Sequence, residues 1–354
     1  MDIRVNNILR RLNDNGYECY IIGGYVRDYL LDRVNNDYDL CTNSPLSYLK
    51  ILLKDYPVIL TNYNTMVIRF DDINIDITPY RREIAYCKRK PVQYELVSTL
   101  SEDLVRRDFT INTICLNYDN NVIDLMNGQD DLNNKIIKAV GDVEKKVKED
   151  PLRILRALRF SAYLHFNIDK DLEFAIKKYG VLLKDLSYER KKSEINKLIK
   201  IRRLDILKKY DLEKYLDIKL DRITYYEHHI LVWMQLDYLG KYCVTKKEKN
   251  LIIKIKELNA SGLTDYNIYK YGFDLSCLVA EFKKMEILDR YNLLPIKKRA
   301  DINISSKDIL SIINKPRLLS KIYINLEKKI INKELINEYD IIMSYLKVIK
   351  HTIY

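Results

Sequence analysis

GGYVRDYLLDRVNNDYDL, residues 23–40, is the stretch from which the rest of the chain can be read. Two adjacent glycines lead into a short amphipathic run that ends in Asp37 and Asp39, separated by one tyrosine. In a strand, side chains at i and i+2 share a face. Both carboxylates then point the same way, which is costly unless a cation lies between them. Mg²⁺ suits such a pair, because it takes hard oxygen ligands, few protein carboxylates and the oxygens of a bound phosphate. Upstream, Gly23 and Gly24 allow the backbone to approach a ligand, and their amides open toward a helix beginning near Tyr25. A triphosphate placed there would have Arg27 beside it.

Working outward, VNNILRRLNDNG (5–16) reads as an amphipathic helix stopped at Gly16, and YECYIIGG (17–24) as a buried strand. YDLCT (38–42) is a second strand. MVIRFDDINIDIT (66–78) reads as a hairpin, two alternating runs around an Asp-Asp turn. It offers a third carboxylate, Asp76, on the face opposite Ile75 and Ile77. Three carboxylates on neighbouring strands would serve a two-metal phosphoryl transfer. Taken alone, a D-x-D in a turn is most often solvated surface; the order Gly-Gly, Arg, D-x-D within 17 residues carries the argument.

Bulk properties agree with an anionic partner. The 354 residues carry a formal charge of +11, with an isoelectric point near 9.0, and the charges are mixed along the chain rather than massed in a tail. The length suggests more than one domain. Six scattered cysteines, with no C-x-x-C pair and only four histidines, fit reduced thiols of a cytoplasmic protein better than a disulfide frame or a zinc site. The charged opening MDIRVNNILRRLNDNG does not read as a signal peptide, and no apolar run approaches the roughly 20 residues of a membrane span. From about residue 145 glycine nearly vanishes and the spacing becomes helical.

GG-x-V-R-D-x-L followed by D-x-D-L resembles the nucleotidyltransferase signature of the polymerase β superfamily. More narrowly, it resembles the class II tRNA nucleotidyltransferases: the CCA-adding enzymes and their bacterial poly(A) polymerase relatives. That resemblance implies an α+β fold, a polymerase-β-like head with a small mixed sheet followed by an all-α neck, body and tail. The expected boundaries are 1–140, 141–200, 201–290 and 291–354. It implies Mg²⁺ on Asp37 and Asp39, with Asp76 as third carboxylate or base, and Gly24 and Arg27 on the triphosphate.

LVRRDFTINTICLN (104–117) is similar to the family's second motif. An Arg-Asp pair there could be a plain salt bridge; the resemblance makes Arg107 a nucleotide contact and Asp108 and Asn112 candidates for the ribose hydroxyls. EDPLRILRALRF (149–160) matches the fourth motif. With Pro151 at a helix start, Asp150 and Arg153 are i and i+3, neighbours on one face. Asp150 can accept from the exocyclic amino group of cytosine or adenine while Arg153 donates to the ring nitrogen. Uracil and guanine would set a carbonyl against the carboxylate, at a cost of about 1–3 kcal/mol. A solvated i,i+3 ion pair is the commoner meaning of such a pattern. Arg156 and Arg159 would face triphosphate or substrate RNA.

VGDVEKKVKEDPLR (140–153) resembles the connecting segment, with Lys146 and Val147 where the family usually has Arg-Phe. SYERKKSEINKLI (187–199) resembles the fifth motif, with Glu189, Arg190 and Glu194 as a helix brace. Residues 79–104 resemble the family's flexible loop at full length, with Glu83, Tyr86, Arg89 and Pro91 in matching places. Residues 294–347 are similar to the tail of bacillus-type members, although a usual glycine is Ser306. The implied activity is template-independent addition of CCA to the tRNA 3′ end from CTP and ATP, with release of pyrophosphate. The implied partners are that RNA and the two nucleotides, with no membrane and no protein partner. A poly(A) polymerase of the same family is the competing activity. A non-catalytic tRNA-binding relative and an antibiotic-modifying type of nucleotidyltransferase rank below it. The basic stretch KLIKIRRLDILKKY (197–210) is either a solvated face or a track for the tRNA backbone, and Trp233 and the histidines read as structural.

Overall fold

The computed structural model describes residues 1–61, 64–87, 90–237, 239–242 and 245–350, with 85–87 and 90–93 described by their backbone alone. Helix α1 (Ile3–Asp14) is capped by Asp2, whose carboxylate accepts from the Arg4 amide at 2.8 Å. It buries Val5, Ile8, Leu9 and Leu12, one stripe at helical spacing. Strand β1 (Cys19–Ile22), an interior strand of the sheet, then leads into α2 (Gly24–Leu30) and the central strand β2 (Asp37–Thr42). Along β2 the residues alternate: Asp37 and Asp39 are exposed, while Tyr38 and Leu40 are buried. Both carboxylates therefore share the outer face, as the period of two requires.

After α3 (Leu46–Leu52) come β3 (Val58–Leu60), β4 (Met66–Arg69) and β5 (Asn74–Pro79). β4 and β5 are the expected antiparallel pair around Asp71-Asp72. β5 returns beside β2 in parallel, in a register that sets Asp76 opposite Asp39. Ile75 and Ile77 point the other way and are fully buried. Strands β6 (Arg81–Cys87) and β7 (Lys90–Leu96) form a separate antiparallel hairpin with a bulge near Glu83–Ala85. Glu83 lies on it; the side chains of Tyr86 and Pro91, and Arg89 altogether, fall outside the described residues.

Helix α4 (Leu100–Val105) is followed by a 3₁₀ turn at Thr110–Asn112, then by β8 (Cys115–Leu116) and β9 (Val122–Ile123), which complete the sheet in the order β3-β4-β5-β2-β1-β8-β9. The turn is packed by α5 (Gly128–Asn133). A Cβ on Gly128 would lie 2.3 Å from the Thr110 carbonyl oxygen, so only glycine permits this approach.

Short strand β10 (Ile136–Ile137) leads to α6 (Val143–Glu149) and α7 (Leu152–Leu164). Strand β11 (Asn167–Ile168), α8 (Lys170–Tyr179) and α9 (Tyr188–Lys200) follow, and α9 packs on α7. One expectation fails here. Asp150 is not on the face of α7 with Arg153: it stands between α6 and α7 in an extended conformation, φ −141° and ψ 94°. The cause is Pro151, whose ring disfavours helical geometry in the preceding residue.

The chain divides into two compact units, Met1–Leu220 and Asp221–Tyr354. The first closes with α10 (Asp205–Lys209) and α11 (Glu213–Leu216). The described helices of the second are α12 (His229–Leu236), α13 (Lys246–Ser261), α14 (Asp265–Tyr271), α15 (Phe273–Lys283), α16 (Leu288–Asn292), α17 (Ser306–Ile313), α18 (Leu319–Ile331) and α19 (Tyr339–Ile349). Ile255, Leu258, Ile309, Leu326, Ile342 and Leu346 form part of their shared core. The turn that lacks a glycine is held by polar chemistry instead. Ser305 and Asp308 form a capping box at the start of α17, and the Ser306 hydroxyl lies 3.1 Å from that of Tyr323. Trp233 is core, and His228 caps α12 by accepting from the Ile230 amide. Cys19, Cys41 and Cys115 are buried free thiols and Cys277 is partly buried, while the Cys87 side chain and Cys243 lie outside the described residues. No helix among the described residues is long and apolar enough to cross a membrane.

Candidate active site

A cavity of about 570 Å³ opens in the first unit, between the outer face of the sheet and helix α7. Its volume is in the range of small-ligand sites. Gly23, Gly24, Arg27, Asp37 and Asp39 line one side; Arg107, Asp108 and Asn112 line a second; Asp150, Arg153, Arg156 and Arg159 line the third. Every residue expected from sequence is on this wall except Asp76. That residue stands one strand over, opposite Asp39, with its carboxylate 2.6 Å from the Arg69 guanidinium. Asn35, Arg106, Phe160 and Lys197 also line the cavity and were not anticipated.

The side chains are already fastened to one another. Arg27, nearly buried, donates from Nε and Nη2 to Asp28 Oδ1 at 2.9 and 2.7 Å, and from Nη1 to Asn112 Oδ1 at 2.9 Å. Asn35 donates to the other oxygen of Asp28 at 2.8 Å. Asn112 donates to Asp108, whose second oxygen accepts from Arg156 Nε at 2.7 Å. A continuous chain of hydrogen bonds thus runs from Asn35 to Arg156, which restricts the rotamers of six side chains at once. Burial alone would raise the Asp108 carboxyl, but the Arg156 charge, Asn112 and the Phe109 amide hold it down at about 2.

Phe160 organises the cations. The guanidinium carbons of Arg159, Arg27 and Arg156 lie 4.0, 5.1 and 5.5 Å from its ring centre, and Phe109 meets it edge-on at 5.7 Å. Arg159 also pairs with Glu194 of α9 at 2.7 Å. Arg106 and Arg107 share the fully buried Asp103, which leaves Arg107 Nε buried without a partner. Seven cationic side chains face four carboxylates around the cavity, a surplus of positive charge suited to a polyphosphate.

Asp150 and Arg153 are both present but do not lie side by side. Asp150 accepts from the Leu152 amide at 3.1 Å and from Arg190 Nη2 at 2.7 Å. Arg153 donates to the backbone carbonyls of Lys146 and Arg106 and lies 3.5 Å from Glu149. The fifth-motif residues Arg190 and Glu194 are therefore braces for the side chains of the fourth motif, as their reading as a helix brace anticipated.

The donor set fits a hard divalent cation. Although Asp39 keeps an open edge on the cavity, the protein around it displaces water and raises its carboxyl; Arg107 opposes this, and the charges on Asp76 and Asp37 add to the rise. A cation at the D-x-D would relieve that repulsion. Among the described residues no three His, Cys, Asp or Glu groups are gathered tightly enough to hold a metal by themselves. Two carboxylates on one face leave the remaining positions around such an ion to water and phosphate oxygens.

Residues 19–138 match the poly A polymerase head domain family, and residues 243–346 match the family described as tRNA nucleotidyltransferase domain 2. A CCA-adding enzyme of Streptococcus agalactiae is 32% identical, over 96% of this chain and 95% of its own length. That of Bacillus cytotoxicus is 29% identical over 97% and 98%. The fold is also that of the Bacillus stearothermophilus CCA-adding enzyme solved with CTP, at a TM-score of 0.79 and 24% identity over 99% of both chains. Nucleotidyl transfer in such enzymes depends on a divalent metal. With relatives matched at up to 32% identity over nearly the whole chain, and a head-domain family model matched at its start, the chain belongs to the CCA-adding enzymes among the tRNA nucleotidyltransferases.

Proposed function

We propose that this protein adds the terminal CCA to the 3′ end of tRNA from CTP and ATP, without a nucleic-acid template and with release of pyrophosphate. The observation that carries the reading is that one cavity gathers these groups. A D-x-D faces it from the sheet, a cationic wall surrounds it, and the Asp150–Arg159 segment closes it. The tRNA 3′-hydroxyl attacks the α-phosphorus, a new P–O bond forms, and the bond to the β-phosphate oxygen breaks. Asp37 and Asp39 would hold Mg²⁺, which when bound acidifies the hydroxyl and neutralises charge on the leaving pyrophosphate. Arg27, Arg107, Arg156 and Arg159 bind and orient the triphosphate beside Gly24. Asp108 and Asn112 take the ribose hydroxyls, and Asp150 and Arg153 select the base. Asp76 acts as third carboxylate or as base once it leaves Arg69.

In this reading residues 1–140 are the head and 141–200 the neck, while 201–290 and 291–354 are body and tail that bind tRNA through its phosphates. The buried free thiols support a cytoplasmic setting. The test uses Mg²⁺ and a tRNA transcript ending at its discriminator base. Two cytidines with CTP alone, and three nucleotides then a stop with CTP plus ATP, are the expected products. Runs of A that need no CTP would instead assign a poly(A) polymerase.

A further inference from the structure

Helix α6 reaches back to the segment that follows α4 through one side chain. Lys146 is 8% exposed, and among the described residues its ammonium pairs with no carboxylate. It donates to the backbone carbonyl of Val105 and, at 3.2 Å, to that of Arg107. The carbonyl between them, of Arg106, accepts from Arg153 Nη2 at 3.3 Å, and Arg153 Nη1 donates to the carbonyl of Lys146 itself at 2.7 Å. Three consecutive carbonyls, 105 to 107, are each held by a cation from α6 or α7. The first belongs to the end of α4, where helical carbonyls lack partners and the dipole is negative.

Burying an ammonium without a direct ion pair is costly. Burial, and then the charge on Arg153, push Lys146 down to about 8, although the charges on Glu149, Glu83 and Asp108 pull the other way. Its place is hard to explain by packing, since a methionine would fill the same space without that penalty. What distinguishes the position is the segment it grips. Residues 106–108 deliver Arg106, Arg107 and Asp108 to the nucleotide cavity, and Arg106 also lines a second cavity of about 410 Å³, whose wall includes Lys146 and Glu83.

We propose that Lys146 is a positioning residue of the nucleotide site: it fixes the 105–108 backbone to the neck, so that Arg107 and Asp108 keep a set spacing from Arg153. This rests on the nucleotide-binding reading above, and it assigns to Lys146 the ribose geometry in particular. Lysine here does through two hydrogen bonds what an arginine could do through its fork, so Lys146→Arg preserves the grip and Lys146→Met removes it.

The experiment compares wild type, K146M and K146R in steady-state incorporation of CTP, ATP and dCTP on tRNA lacking its CCA end, with thermal unfolding of each. K146M raises KM for CTP and ATP about tenfold, as expected for loss of a charge-assisted bond. It also lowers the preference for CTP over dCTP, and K146R restores both. Loss of activity and thermal stability together, with the CTP:dCTP preference unchanged, overturns the proposal; so does a K146R variant as impaired as K146M. A wild-type protein that adds no nucleotide overturns the functional reading instead. Equilibrium titration with CTP then still tests Lys146, and equal affinities of wild type and K146M reject its role.

Discussion

The carboxylate of Asp150 is held by Arg190, at 2.7 Å from a helix 40 residues further along the chain, rather than by Arg153 three residues away. Both groups are mostly buried, so the pair fixes which way the Asp150 oxygens face. If Asp150 selects the base as proposed, it does so with a carboxylate whose orientation is set from α9. Arg190→Gln frees that carboxylate. The expected result is a roughly tenfold loss in the kcat/KM ratio of CTP over UTP, about the worth of one charge-assisted hydrogen bond. Arg190→Lys should recover part of it. Single-nucleotide incorporation assays with the two triphosphates decide the matter, and an unchanged ratio in Arg190→Gln would remove Arg190 from base selection.

Asp39 tests the metal reading in a different way. Partial desolvation and the charges of Asp76 and Asp37 raise its carboxyl against the pull of Arg107. A raised carboxyl in the folded state means that ionisation opposes folding. The stability it contributes is greatest at low pH and is lost as pH rises through the raised value. Asp39→Asn should therefore abolish nucleotide addition, by a factor on the order of 10³ or more, as removal of a metal-binding charge does. Its melting temperature at neutral pH without metal should equal or exceed that of wild type. A variant that loses activity because it unfolds would contradict this, and circular dichroism melts separate the two.

How much of this was legible in sequence differs from element to element. The alternation of Asp37, Tyr38, Asp39 and Leu40 set two carboxylates on one face because a strand permits nothing else, and the Ile75-Asp76-Ile77 pattern placed the third. The segment 104–117 gave up its cavity-facing residues through the resemblance, since an Arg-Asp pair has no orientation of its own. The spacing of Asp150 and Arg153 is helical in the sequence, but Pro151 keeps the residue before it out of helical geometry, so the two do not share a face. Phe160 carries no charge and sits at the end of a helical apolar pattern, so nothing in the sequence marked it as the ring around which three guanidiniums gather. Arg190 and Asn35 are brought in by tertiary packing, which spacing along the chain does not report.

Asp108 predicts an acid transition. Its carboxyl titrates at about 2 in the fold against an ordinary 3.8, because Arg156, Asn112 and the Phe109 amide outweigh burial. A depressed carboxylate stabilises the fold above its unfolded value, and that contribution disappears as pH falls through the folded value. With the side chain only 11% exposed, the gap corresponds to about 2 kcal/mol. Wild type should lose that much stability from this group between about pH 4 and pH 2. Asp108→Asn should be less stable at neutral pH, because Arg156 loses its counter-charge, yet should show a correspondingly shallower acid limb. Urea unfolding across that range measures both, and parallel acid limbs would mean that Asp108 is not the titrating group.

Gly23 is the last test, because backbone and chemistry meet there. Its φ of 81° and ψ of −133° lie where only glycine is at ease, and a side chain would be strained whatever the space around it. A Cβ would also stand 3.4 Å from Asp39 Oδ2, in ordinary contact with the carboxylate proposed to hold the metal. Gly23→Ala should therefore cost about 1–3 kcal/mol in urea unfolding. It should also lower kcat more than the loss of folded protein explains, with a shifted Mg²⁺ dependence. Gly16 supplies the control, with a φ of 82° and nothing within 4 Å of its Cβ position. Gly16→Ala should show a comparable loss of stability with an unaltered Mg²⁺ dependence. If the two variants behave alike in the metal titration, the strain at Gly23 is structural and its nearness to Asp39 has no part in catalysis.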